Sequence, residues 1–239
     1  MRKHWIFLGL CISLLLLRVE EAPANLAADG AAQIPAETNY VALTFDDGPR
    51  RGTTDRLLEG LKERGASATF FLVGEEAERY PELVRRMQAE GHQVGNHTWS
   101  HVRLEGASTA VIQEEVGKTE ELLETLLGGR GYWLRPPYGL ITPGTEKLVR
   151  VPMVKWSVDP RDWENKNTDK VVQAILKHVK PNSIILLHDI YDTSVDAALK
   201  VVDTLEAQGY CFVTVEELLC LNGVTPEAGE LYRTGTGTT

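Results

Sequence analysis

From Tyr40 onward the chain alternates short β-branched or aromatic runs with longer stretches of helical periodicity, and few folds accept that alternation. The strand candidates are YVALTF, SATFFLV, HQVGN, YWLR, MVKWSV, SIILLH and YCFVTV. Between them lie TDRLLEGLKERG, YPELVRRMQAEG, TAVIQEEVGKTEELLETLLGG, TPGTEKLVR, TDKVVQAILKHV and SVDAALKVVDTLEAQG. Strands joined through a helix run parallel, because the crossover returns the chain to the same end of the sheet. The expectation is therefore an α/β fold with a mostly parallel sheet, open or closed into a barrel. Seven strands fall one short of the usual eight-stranded barrel. Several helical runs end in Gly, as C-caps do, and Thr53 or Thr54, Thr168 and Ser194 are the expected N-caps. The pattern stops at Asn222, so 223–239, ending in TGTGTT, is expected to be a disordered tail. The sequence shows no internal repeat and no second domain.

The first residues follow another rule. A short basic start, MRKHW, precedes an uninterrupted apolar run over 6–17. That run is too short for a spanning helix, which needs about 20 residues, and its flanks match a secretory signal. Residues 1–28 are expected to be a signal peptide or, uncleaved, an N-terminal anchor, with 29–37 a tether and 38–222 one domain. APA at 22–24 and LAA at 26–28 both offer small-residue cleavage sites. Export permits a disulfide between Cys211 and Cys220, but both lie in apolar runs and read as small buried residues. The net charge of -9 argues against nucleic acid or an anionic membrane surface as partner. Membrane contact would come only through the N-terminal segment, and a monomer is expected.

In parallel α/β folds, chemistry collects at the carboxyl ends of the strands. The first candidate strand ends in Asp46 and Asp47, two like charges that are costly without a positive partner. The third is followed by NHTWSH, with His97 and His101, and the fourth by RPPYG, with Arg135 and Tyr138. The fifth is followed by DPRDW, with Asp159, Asp162 and Trp163, and the sixth by His188 and Asp189. Charged groups at five strand ends are hard to explain as solvated surface. On a helical turn the i, i+4 spacing of His97 and His101 would put both imidazoles on one face, within reach of one cation. Position 98 is Thr, so this is not H-E-x-x-H, and Asp46 or Asp47 must complete the site. Two His and one Asp with an open position form a catalytic arrangement rather than a closed structural one. The second Asp is then available to take a proton from water.

Taken singly, several of these residues read more plainly. Asp162 fits a helix cap or surface charge, Trp163 a core residue and Arg135 a structural ion pair. Asp159, before Pro160, fits shaping of the turn, and Asp189 fits a helix cap or a hydrogen bond to loop backbone. His92 reads as a turn or surface residue, and His178 as a helix-end cation. Trp99, Tyr132, Trp133 and Trp156 all fit sugar stacking, but Trp133 and Trp156 lie in strand runs and read rather as core.

Taken in order, TFDDGP, HTWSH, RPPYG, DPRDW and IILLH resemble the five motifs of the polysaccharide deacetylases of carbohydrate esterase family 4, the NodB homology domain. The resemblance covers roughly residues 38–220. It implies an irregular (β/α)7 barrel in a single catalytic domain and a divalent cation, zinc or cobalt. It implies Asp46 as general base, Asp47 with His97 and His101 as metal ligands, and Arg135 orienting Asp46. The backbone N–H of Tyr138 would help hold the oxyanion. Asp162 would tune His188, the general acid, and Trp163 and Leu186 would wall the acetyl pocket. The implied activity is hydrolysis of N-acetyl groups on an amino-sugar glycan, peptidoglycan or chitin-like, by a secreted or cell-wall enzyme. The rival within the same site is an O-acetyl xylan esterase, and the rival of another class is a non-catalytic wall-glycan-binding protein. A phosphatase or nuclease built on the Asp pair would want more carboxylates for a second metal. Val102 stands where family members often carry Pro, a departure that removes no catalytic group.

Overall fold

The computed structural model describes residues 39–237, so the expected signal or anchor and its tether lie outside the described residues. In chain order the elements are β1 (Asn39–Asp46), α1 (Thr53–Arg64), β2 (Thr69–Leu72), α2 (Gly74–Arg79), α3 (Pro81–Ala89), β3 (Gln93–Asn96) and α4 (Thr109–Leu127). A single 3-10 turn at Pro137–Gly139 leads to α5 (Pro143–Glu146), β4 (Met153–Val154), α6 (Thr168–His178) and β5 (Ile184–His188). The chain continues through α7 (Asp192–Glu206), β6 (Tyr210–Phe212), α8 (Val215–Leu221) and β7 (Leu231–Tyr232).

β1 is the hub, buried on both faces over its last six residues as a covered parallel strand should be. It pairs parallel with β2, β5 and, at its start, β6. β2 pairs parallel with β3, and β4 with β7. Single-residue parallel bridges carry the pairing onward, from Asn96 to Leu134, from Leu134 to Met153, and from Val158 to Ile185. The parallel α/β expectation holds, but regular ladders do not close the barrel. The expected strand YWLR shrinks to the bridging residue Leu134, because Gly131 at φ 81° precedes it and Pro136 and Pro137 follow. MVKWSV keeps only two strand residues; beyond them the N–H groups of Ser157 and Val158 both donate to the Ile184 carbonyl.

Helices α1 and α7 cover one side, where Leu57, Leu58 and Leu61 join Val195, Ala198 and Val202 in the main core. Gly60 lets them approach closely, since a Cβ there would overlap the Leu199 side chain.

Three elements lie beyond the sequence expectations. α2 is a six-residue helix stopped at Tyr80, before Pro81, and is too short to show a period. α8 opens with a capping box between Thr214 and Glu217, a signature that the sequence does carry. β7 overturns the disordered tail: Tyr232 is buried against Trp133, and the structure places the chain through residue 237. The N-caps also move, to Gly52, Asn167 and Tyr191; Asn167 accepts from the Lys170 N–H at 3.0 Å. Cys211 and Cys220 are exposed rather than buried, because Cys211 alternates with the inward Phe212 on β6 and Cys220 falls on the outer side of α8. Among the described residues no helix is long and apolar enough to cross a membrane.

Candidate active site

Parallel pairing brings the carboxyl ends of β1, β3 and β5 to one rim, and Arg135 joins them one residue after the bridge at Leu134. A cavity of about 420 Å³ opens there. Asp46, Asp47, His97, His101 and His188 line it, with walls from Tyr138, Trp156, Asp159, Trp163 and Leu186.

Asp46 is the last residue of β1 and is buried. Its Oδ1 accepts from Arg135 Nη1 at 2.7 Å. Arg135 is fully buried, and its other donors reach Thr44 Oγ1 at 2.8 Å, the Lys155 carbonyl at 2.9 Å and the Val154 carbonyl at 3.3 Å. Its guanidinium stacks 4.2 Å from the centre of the Phe71 ring. Burial pulls its pKa down and the Asp46 charge opposes that. A buried guanidinium is tolerable when it is paired and well hydrogen-bonded, and this one is paired with Asp46 and places four of its five N–H groups on acceptors.

The opposite side is built around Asp162, which is fully buried. Its Oδ1 accepts from His188 Nδ1 at 2.9 Å. Its Oδ2 accepts from the His188 backbone N–H at 2.8 Å and from Ser194 Oγ at 2.6 Å. Ser194, expected as a helix cap, therefore serves the site. Burial works against charge on His188, but the Asp162 hydrogen bond and charge, aided by Asp46 and Asp47, prevail and push it up to about 9. The imidazolium can then donate from both nitrogens.

Between these two pairs sit Asp47, His97 and His101, each offering a ligand atom within 4.8 Å of the others. Asp47 Oδ1 is 3.5 Å from His97 Nε2 and 3.3 Å from His101 Nε2. The expected helical turn is absent here. The imidazoles converge from a loop in which Thr98 and His101 take positive φ, and Asp47 does the same at the end of β1. Among the described residues, five of the six non-glycine positions with positive φ lie in the loops of this rim: Asp47, Thr98, His101, Tyr138 and Arg161. Strain of that kind collects where surrounding structure fixes functional groups.

The chemistry of this cluster fits a divalent cation. Asp47 Oδ1 is buried with no hydrogen-bond partner among the described residues. His97 Nδ1–H donates to the Arg135 carbonyl at 2.7 Å, which leaves Nε2 with a free lone pair facing the cluster. Burial, then the neighbouring His97, holds His101 below its usual pKa, in the neutral form that a ligand needs.

Every site residue expected from the sequence lies at this rim or supports it. Trp156, expected as core, also walls the cavity, and Asp159 does likewise while accepting from the Arg161 N–H at 2.8 Å. Trp99 is not a free platform, since the Lys118 ammonium sits 3.5 Å over its ring. His92, expected at the surface, is buried. Asp189 is expected as a helix cap or a partner of loop backbone. It is fully buried, hydrogen-bonded to Thr54 Oγ1, and packed beneath Gly48, where any Cβ would overlap its carboxylate. Burial pushes its carboxyl up to about 7.

The fold and cavity define a class: parallel α/β proteins with an Asp-His-His cluster that could hold a metal ion, flanked by an Arg-backed and a His-paired carboxylate. The polysaccharide deacetylase family model matches residues 33–152, and the chain belongs to that family. Among relatives, it is 40% identical over 178 residues to the peptidoglycan-N-acetylmuramic acid deacetylase PdaC of Bacillus subtilis, covering 74% of this chain and 38% of that protein. The chain thus spans about two fifths of the length of its first curated relatives. A solved structure described as "T48 deacetylase with substrate" superimposes with a TM-score of 0.78 at 40% identity, over 82% of this chain and 96% of that one. A family 4 acetyl xylan esterase from Clostridium thermocellum, solved with a cobalt ion, gives a TM-score of 0.78 at 31% identity, over 82% and 98%.

Proposed function

We propose that this chain is a metal-dependent deacetylase that removes N-acetyl groups from an amino-sugar glycan of the cell wall and releases acetate. The observation that carries the reading is the placement of a carboxylate base and a cationic His acid on two sides of one ligand cluster. An acetamide needs both: a base to generate the nucleophile and an acid for its poor amine leaving group. Asp47, His97 and His101 would hold a divalent cation, zinc or cobalt by family resemblance. Such an ion supplies Lewis-acid polarisation of the acetyl carbonyl and lowers the pKa of water.

The chain's own residues do the rest. Asp46 takes the proton from the attacking water, and Arg135 fixes which oxygen of Asp46 is presented. The Tyr138 N–H, set by φ 61°, would donate to the oxyanion. His188 gives its Nε2 proton to the departing amine, and Asp162 keeps that imidazole charged and aimed. Leu186 and Trp163 border the acetyl methyl. Tyr138 and Trp163, exposed at 57% and 45%, stand at the mouth as faces for sugar rings.

PdaC by its name acts on peptidoglycan, which supports a wall glycan and an extracytoplasmic location. The apolar run over 6–17 supports export through a signal or anchor. The esterase neighbour keeps acetyl-ester hydrolysis as the second reading. The test is acetate release by metal-stripped protein on adding back zinc or cobalt, with peptidoglycan, chitooligosaccharides and acetylated xylan in parallel. Metal-dependent acetate from an amino-sugar glycan is expected, and it should vanish in Asp46→Asn while metal binding persists. Release from xylan alone would transfer the assignment to the esterase.

A further inference from the structure

The reaction cavity does not end at Asp47. Asp47 also borders a second hollow, of about 270 Å³, lined by Pro49, Arg50, Glu76, Arg79, Tyr80 and Ile190. None of those six lines the first cavity. The first hollow is walled by aromatic rings, whereas the second sets Arg50 and Arg79 beside Glu76, and Asp47 is common to both.

The two arginines of the second hollow differ in what they hold. Arg79 Nη1 is spent on Glu76, at 2.7 and 2.9 Å from its two carboxylate oxygens. Arg50 Nη1 donates to the Ile190 carbonyl at 2.9 Å, and no carboxylate ion-pairs with Arg50 among the described residues. The next residue, Arg51, is by contrast paired with Glu82. Helix electrostatics do not explain Arg50 either. It stands two residues before the N-cap of α1, the end that disfavours a cation. Its backbone is held firmly, the main-chain N–H donating to Thr54 Oγ1 at 2.8 Å and the carbonyl accepting the Thr54 N–H at 2.9 Å, while the exposed side chain is anchored at Nη1 alone. A chain with net charge -9 thus keeps, among its described residues, a guanidinium with no carboxylate partner in a hollow that borders Asp47.

We propose that this hollow is a subsite for a carboxylate carried by the sugar adjacent to the one deacetylated, and that Arg50 binds it. This rests on the deacetylase reading and narrows it to acidic glycans. A guanidinium already fixed at one nitrogen offers its remaining N–H groups to a carboxylate with little further ordering cost. A neutral neighbouring sugar would gain nothing from it. Two carboxylates have the required chemistry: the lactyl ether acid of a peptide-free sugar, and the side-chain or terminal acid of an attached peptide.

The experiment uses the full chain as wild type, Arg50→Gln and Arg50→Lys. Acetate release is measured on peptide-free lactyl-bearing glycan strands, on strands with peptides attached, and on neutral chitooligosaccharides. In Arg50→Gln the KM for an acidic glycan should rise about five- to tenfold, as for loss of one solvent-accessible charge-assisted bond. Its kcat and the KM for the neutral glycan should stay within about twofold, with Arg50→Lys in between. A rise on the peptide-free strands names the lactyl acid as ligand, and a rise confined to peptide-bearing strands names the peptide. Equal shifts on acidic and neutral glycans, or none, overturn the subsite. Calorimetric binding of the same glycans separates the two readings. Failure of every glycan to release acetate sinks the deacetylase assignment, whereas carboxylate binding that depends on Arg50 upholds the subsite and binding indifferent to Arg50 removes it.

Discussion

Asp162 accepts three hydrogen bonds, two of them from His188. An amide in its place would keep the shape but lose the charge that holds the imidazolium. Asp162→Asn should therefore lower kcat by about a hundredfold or more, with little change in KM or in the unfolding midpoint. A variant with near-normal kcat would mean that His188 is not the acid. Asp189 is a different case, because its work is structural. Asp189→Ala would take away the acceptor of the Thr54 hydroxyl proton and open space under Gly48, costing about 1–3 kcal/mol in denaturant unfolding, while Asp189→Asn should recover most of that. Equal losses in the two variants would show that hydrogen bonding at this position is not what matters. The contrast explains what was legible. Asp46, His97 and His188 announce themselves by chemistry at strand ends. The importance of Asp189 depends on Thr54, 135 residues away, and no local pattern carries that.

Among the elements, the junction of β2 and β3 shows how a residue misjudged by its sequence neighbourhood can control stability. His92 follows Gly91 and reads as a turn residue, yet β2–β3 pairing draws it inside. Its Nδ1 accepts the Ala68 N–H at 3.2 Å, and its ring meets the Phe70 ring edge-on at 5.3 Å between centroids. Protonation would destroy the acceptor and bury a cation, so burial pulls the pKa from 6.5 down to about 4, with Glu90 only partly opposing. The unfolded chain then takes up a proton before the folded chain does. Stability conferred by neutral His92 is complete above pH 6.5 and is lost as the pH falls toward 4. Between pH 7.5 and 4.5 the wild type should lose about 2–3 kcal/mol more than His92→Gln, since each pKa unit is worth about 1.4 kcal/mol. Unfolding curves of the two proteins that fall in parallel would contradict this. The same scale explains the other misreadings. Helical spacing of His97 and His101 suggested a turn of helix, but positive φ at Thr98 and His101 builds a loop that converges the rings equally well. Spacing reports that two side chains can meet, not the backbone that brings them together.

At the scale of the whole molecule, the α/β alternation was readable because each crossover carries its own period, whereas the closure of the ring was not, because it runs through isolated bridges and a two-residue strand. The tail matters most here. Met153 N–H donates to the Glu230 carbonyl at 2.7 Å, and Lys155 N–H to the Tyr232 carbonyl at 2.7 Å. Tyr232 is buried in the cluster that also holds Trp133 and Val154. The carbonyls of Val154 and Lys155 in turn receive the Arg135 guanidinium, and Arg135 holds Asp46. The segment expected to be disordered is thus three contacts from Asp46, the proposed base. Ending the chain at Asn222 would expose that cluster and strand the donors of β4, so stability should fall by about 3 kcal/mol or more. Loosening Arg135 should also lower kcat about tenfold beyond any loss of folded protein, by the sensitivity of catalysis to small misplacements. Tyr232→Ala keeps the backbone ladder and isolates the packing part; it should lose stability but retain more of the turnover than the truncation. If the shortened chain unfolds at the same denaturant concentration and turns over at the same rate, β7 is an appendage and the route from tail to base does not exist.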